Sequence, residues 1–189
     1  ADEVMTGFGR TGNFFASEYI HHKPDIICLS KGLTGGSLPL AITACRIELF
    51  EAFLDDDAKK TFFHGHSYTA NPLACAAALA SLELLQKEEC MQAIDTIGQS
   101  NKSFIEELSG YQPVKNPRSR GTILAFEINS GKNEYLNRMK ETIINLSLEN
   151  GVFLRPLGNT VYIMPPYCIT REELQQVYVV IKKIASMFE

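Results

Sequence analysis

The sequence has no long basic run, no apolar stretch of membrane-spanning length and no Cys-x-x-Cys pair. Each absence removes a class of function. Without clustered Lys and Arg there is no electrostatic footprint for nucleic acid, and the formal net charge is −4. Without about 20 consecutive apolar residues, no helix is expected to span a membrane. The first residues carry no basic segment followed by an apolar core, so no signal peptide is expected in them. The five cysteines (Cys28, Cys45, Cys75, Cys90 and Cys168) are odd in number and far apart. That pattern fits reduced thiols in a cytoplasmic protein. His21, His22, His64 and His66 match no zinc spacing. There is no internal repeat and no low-complexity segment.

What is present is ordinary globular material. The chain has 189 residues, 45% hydrophobic and 21% charged, enough to bury a real core. It opens ADEVMTGFGRTG, with its first Met at position 5, so a piece of a longer protein is expected.

DIICL (25–29) and LAITAC (40–45) read as buried strands, and apolar strands of this kind fit a parallel sheet covered on both faces. NPLACAAALASLELLQK predicts a helix over 71–87, with Asn71 as N-cap and Pro72 at the first helical position. A second helix is expected over 89–108, ending near Gly110. Gln112–Gly121 reads as a loop containing proline and arginine, Thr122–Ile128 as a strand, and Asn133–Asn150 as an amphipathic helix stopped by Gly151. VFLRP and TVYIMPP are expected to form two short strands joined by LGN. Thr170 and Glu173 form a capping box that opens a last helix through about Met187. The reading is two α/β units with a boundary near residue 90.

CLSKGLTGG (28–36) carries the chemical signal. Lys31 follows an expected strand, at the edge where open α/β sheets bind ligands. Its order, lysine before glycines, excludes a P-loop. GFGRTG (Gly7–Gly12) has the letters of a dinucleotide fingerprint, but neither the preceding strand nor the following helix start that such a site needs. A lysine enclosed by apolar groups favours its neutral amine, and that amine attacks an aldehyde to form a Schiff base. Pyridoxal phosphate is the common aldehyde cofactor and needs a carboxylate at its pyridine nitrogen; Asp2 is a candidate. Ser67, with Tyr68 and Thr69, precedes a helix start and is a candidate phosphate donor. On residues alone, a solvated loop lysine, a surface Asp2 and a turn serine stay open as readings.

DEVMTGFGRTG (Asp2–Gly12), PDIICLSKGLTGG (Pro24–Gly36) and HGHSYTANPLACAAALASL (His64–Leu82) together resemble the class III, or ornithine-type, pyridoxal-phosphate aminotransferases, in that family's order and spacing. The resemblance spans essentially the whole chain. It implies an α/β fold, the carboxyl-terminal half of a fold-type I transferase: residues 1–90 as part of the cofactor-binding large domain, 91–189 as the small carboxyl-terminal domain. It implies pyridoxal 5'-phosphate as cofactor, Asp2 at the pyridinium nitrogen, Val4 under the ring, and Lys31 as the Schiff-base lysine that also moves the proton. Ser67 stands where the family usually has Thr, as a phosphate ligand across a homodimer interface. GVFLRPLGNTVYIMPPYCIT (Gly151–Thr170) resembles the branch of that class acting in biotin synthesis. That branch converts 8-amino-7-oxononanoate to 7,8-diaminononanoate, and the resemblance makes Arg155 the ligand of the keto-acid carboxylate. A bidentate guanidinium suits that task. Arg10 and Tyr162 are implied near the substrate. The amino donor, S-adenosylmethionine or lysine, stays open, because HGHSYTAN departs from the HGPTFMGN of many S-adenosylmethionine users. The family's glycine-serine phosphate loop and ring-stacking aromatic lie upstream of the matched blocks, so the chain alone is expected to be inactive. Other class III activities on ornithine, acetylornithine or ω-amino acids, an aminomutase, or a non-catalytic folded half are the alternatives.

Overall fold

The computed structural model describes residues 1–129 and 139–189. The chain divides into two compact units, Ala1–Met91 and Gln92–Glu189.

In the first unit, β1 (Ile26–Leu29) pairs antiparallel with β2 (Ile42–Cys45), with Ile26 opposite Cys45 and Leu29 opposite Ile42. The parallel pairing expected for these strands is therefore corrected. A parallel return needs a crossover of a dozen or more residues, usually helical. Between these strands the chain forms only a 3-10 turn, Lys31–Thr34, and loop. The single parallel bridge is on the other edge of β1, between Asp2 and Cys28. Nor is the pair covered on both faces: every residue of β2 is exposed. A short helix, α1 (Ile47–Glu51), follows β2.

Helix α2 (Pro72–Leu85) begins as its local chemistry dictates. Asn71 Oδ1 accepts from the backbone of Leu73 (3.0 Å) and Ala74 (3.3 Å), and Pro72 needs no donor at that position. The helix lies against the lysine turn, where the Ser81 hydroxyl donates to the Gly32 carbonyl (3.3 Å).

The second unit holds an antiparallel sheet in the order β3 (Val114–Arg120), β4 (Ile123–Ile128), β5 (Thr160–Ile163). Helices α3 (Glu88–Leu108), α4 (Met139–Glu149) and α5 (Arg171–Met187) supply the rest. β4 alternates buried and half-buried side chains along its length, the period of a strand with one face on a core. Leu124, Phe126 and Ile128 enter that core with Phe104, Ile143 and Ile181. Each such side chain contributes roughly 1.5–3 kcal/mol by leaving water. Inside it the Tyr178 hydroxyl donates to Asn101 Oδ1 (2.7 Å), and its ring stacks on Phe104 at 4.1 Å. Burial pushes the Tyr178 phenol well above its usual range.

The segment expected as a loop at 112–121 is mostly strand β3. Its pairing shifts register between Lys115 and Arg118, where Asn116 has φ 50°. Pro117 thus sits at a bulge on an edge strand, one of the few strand positions open to proline. VFLRP (152–156), expected as a strand, is irregular throughout, and a lone Leu157–Thr160 bridge follows it; Pro156 has no N–H to give a ladder. Of the helix expected over 133–150, residues 133–138 lie outside the described residues, and α4 occupies 139–149. Gly151 follows in the left-handed region (φ 72°), the conformation that ends helices. Thr170 and Glu173 close the expected capping box: Thr170 Oγ1 accepts from Glu173 N (3.2 Å) and Thr170 N donates to Glu173 Oε2 (2.8 Å).

Candidate active site

Asp2 and Lys31 are organised by one strand. The backbone around Asp2 runs beside β1: Cys28 N donates to the Ala1 carbonyl (2.9 Å) and Glu3 N to the Cys28 carbonyl (2.9 Å). Lys31 follows the carboxyl end of β1 and opens the 3-10 turn. The Asp2 carboxylate is exposed, and one of its oxygens accepts from Val4 N (3.0 Å). Asp2 enters no ion pair among the described residues, so its carboxylate remains available to an external N–H.

The lysine turn is held by its own backbone and by an aromatic cluster. Lys31 itself has φ 43°, a conformation that costs a side-chain-bearing residue and persists only where neighbours impose it. Gly36 N donates to the Lys31 carbonyl (3.2 Å), and the Ser30 hydroxyl donates to the Leu40 carbonyl (2.7 Å). A Cβ on Gly32 would meet the Phe8 ring at 3.0 Å, so only glycine admits that contact. Phe8 packs edge-on against Phe14 (6.0 Å) and Phe15 (5.9 Å). The GFGRTG segment is thus a wedge beneath the lysine turn. The apolar enclosure expected for Lys31 is not supplied here, and the residue is exposed. Phe8 packs against Gly32, the residue after the lysine, and not around Lys31 itself.

The remaining expected residues are dispersed. Val4, between Asp2 and Phe8, and Arg10, between Phe8 and Phe14, are half-buried. Ser67 is exposed in the turn that leads into the Asn71 cap. That turn is closed by Thr69 N donating to the His66 carbonyl (3.0 Å) and by the Thr69 hydroxyl accepting from His66 N (3.1 Å).

In the second unit the Leu157–Thr160 bridge sets a hairpin register. Leu154, Pro156, Val161 and Ile163 are buried, while Arg155 is exposed and Tyr162 half-buried. Among the described residues Arg155 forms no ion pair, so pairing with a surface acid does not account for it.

Sequence reasoning missed Glu3. It is only 2% exposed. Its carboxylate accepts from Ala16 N (3.1 Å), Ser17 N (2.6 Å) and, at short range, the Thr6 hydroxyl. Burial alone would raise its pKa, but the Thr6, Ser17 and Ala16 donors together outweigh that and hold the carboxyl below its ordinary range. The available signal was the strand-like opening itself, in which adjacent acids must face opposite sides.

The donor set beside β1, a carboxylate open to a pyridinium and an exposed primary amine after the strand, fits pyridoxal phosphate; the Ser67 hydroxyl is exposed and suits a phosphate reached from another subunit.

Comparison with known proteins agrees. The family model for class-III aminotransferases matches residues 1–185. The chain is 46% identical over 181 residues to the adenosylmethionine-8-amino-7-oxononanoate aminotransferase of Synechococcus elongatus, covering 96% of this chain and 42% of that protein. The crystal structure of the enzyme of that name from Methanocaldococcus jannaschii superposes with a TM-score of 0.89 at 34% identity, over 99% of this chain and 45% of that one. A Bacillus anthracis aminotransferase gives 0.90 at 30% identity, over 99% and 44%. The chain therefore spans less than half the length of these relatives. No helix among the described residues is long and apolar enough to cross a membrane.

Proposed function

The chain belongs to the class-III aminotransferase family, and on that premise we propose that it forms part of a pyridoxal-phosphate transaminase of biotin synthesis. That enzyme moves an amino group onto 8-amino-7-oxononanoate to give 7,8-diaminononanoate. The observation that carries the reading is the common anchoring of Asp2 and Lys31 on β1, with the lysine held at positive φ directly past the strand end.

When bound, the cofactor supplies an aldehyde that captures amines and a ring that accepts electron density from the substrate carbon. The chain's own groups have separate tasks. The Asp2 carboxylate would hold a proton on the pyridine nitrogen, Val4 would pack against the ring, and the Ser67 hydroxyl would donate to the phosphate. Lys31 would be the amine that holds the cofactor's aldehyde, and its Nζ would serve as the general base and acid for the substrate proton. Arg155 would bind the distant carboxylate of the keto acid through two parallel N–H donors. Tyr162 and Arg10 would border the substrate.

S-adenosylmethionine is the proposed amino donor, supported by the names of the related enzymes; lysine is the rival. A cytoplasmic homodimer is the proposed working form. It is supported by the resemblance of the segment around Ser67 to the family's phosphate-binding stretch, which acts across a homodimer interface.

Borohydride trapping tests the assignment. In the natural polypeptide, reduction should leave the cofactor's mass on the peptide containing Lys31. Lys31→Ala should lose the visible cofactor band, the trapped adduct and turnover. Trapping at another residue, or near-normal turnover in the variant, removes Lys31 from its role. Turnover with an ornithine derivative and none with 8-amino-7-oxononanoate moves the enzyme to another branch of the class.

A further inference from the structure

We infer that Glu3 is a positioning residue for Asp2: its buried carboxylate gathers three donors and so fixes the short strand edge from which Asp2 faces the cofactor. The inference rests on the assignment of Asp2 made above. Asp2 and Glu3 are adjacent on an extended segment, so one side chain is exposed and the other buried. Among the described residues, the Asp2 carboxylate is oriented by one hydrogen bond, from Val4 N. Its placement therefore depends on the backbone of residues 2–6, the stretch that Glu3 ties down.

The ties run in three directions. Glu3 N holds β1 through the Cys28 carbonyl, and the Glu3 carbonyl accepts from Gly7 N (3.0 Å). The Glu3 carboxylate holds the Ala16 and Ser17 amides from the far side of the GFGRTG segment. The Thr6 hydroxyl, bound to that carboxylate, also lies 3.4 Å from the Asp2 carbonyl. No ion pair offsets the Glu3 charge among the described residues. An apolar side chain of the same volume would fill the space without the desolvation cost of a carboxylate, but it would hold none of the three donors. The charge is therefore present for orientation, since packing alone does not require it.

A double-mutant cycle tests this in the natural polypeptide. Pyridoxal phosphate is titrated into the apo forms of wild type, Glu3→Gln, Asp2→Asn and the double variant. The dissociation constant and the pH titration of the bound cofactor's absorbance are read for each. Glu3→Gln leaves one acceptor oxygen for three donors and should weaken cofactor binding about tenfold, the loss of a charge-assisted hydrogen bond. It should also shift the absorbance titration in the same direction as Asp2→Asn. In the Asp2→Asn background, Glu3→Gln should add almost nothing. An equal loss in both backgrounds, or none in either, overturns the inference. Unchanged cofactor affinity and absorbance in Asp2→Asn would instead overturn the Asp2 assignment, and the inference with it. If Glu3→Gln fails to fold, Thr6→Val replaces it in the same cycle, with an expected loss of about threefold and the same deciding comparison.

Discussion

In the carboxyl-terminal unit Phe126, Ile143 and Ile181 are sealed from water, whereas in the amino-terminal unit Phe63 is 82% exposed and Tyr68 75% exposed. The first group belongs to a core shared by a three-stranded sheet and its helices. The second lies beside the residues assigned to chemistry. Large apolar side chains fully buried in the amino-terminal unit are few, chiefly Phe8, Leu29 and Leu85. Within this chain, which spans less than half the length of its relatives, the two units are held by different contacts. One is held by apolar packing. The other depends on polar ties and close backbone approaches: Glu3 to residues 6, 16 and 17, Ser30 to Leu40, and Gly32 to Phe8. Strand-end geometry, rather than bulk burial, sets the position of Lys31.

The contrast can be tested by substitution. Phe126→Ala should destabilise the carboxyl-terminal unit by about 3–5 kcal/mol through the cavity it leaves, read as a fall in denaturation midpoint. A loss below about 1 kcal/mol would mean this core is less tightly packed than its burial implies. Arg155→Ala, on the surface of the same unit, should leave stability alone and raise KM for the keto acid by roughly thirtyfold, about 2 kcal/mol. An unchanged KM removes Arg155 from the substrate site.

Glu3→Gln probes the polar ties. It should cost about 1.5 kcal/mol of stability at neutral pH, the value of a hydrogen bond to a charged group. The folded-state pKa of Glu3 is depressed, so its contribution is complete above the unfolded carboxylate value. It is lost as pH falls through the folded one. The gap between wild type and variant should therefore close in acid. A gap that shows no pH dependence through the carboxylate range would assign the effect to packing. Thr170→Ala should have the smallest effect, about 1 kcal/mol for a lost cap, seen as a small fall in Tm. A neutral result would mean α5 is held by its buried face alone.

Much of the architecture was legible because its causes are local. Asn71-Pro72 and Thr170 with Glu173 announce helix starts through groups a few residues apart, and both caps form. β4 was legible from its alternation. β3 was hidden by Asn116 and Pro117, since the bulge that accommodates them depends on a partner strand that sequence does not display. The antiparallel return of β2 was missed for a related reason: apolar composition reports a strand but not its direction. Lys31, Asp2 and Arg155 could be singled out from motif and context, while Glu3 looked like one more surface acid until residues 15–17 were seen folded over it.

Sequence alone determined where two of the helices begin, which stretch carries the lysine proposed for the chemistry and which family the chain belongs to, because each depends on neighbours along the chain. Only the tertiary structure decided that Glu3 is inside while Asp2 is outside, and that Lys31 stands exposed at positive φ. The placement of Glu3 depends on which distant backbone groups arrive as donors, and that of Lys31 on the turn its neighbours impose; spacing along one strand of text does not encode either.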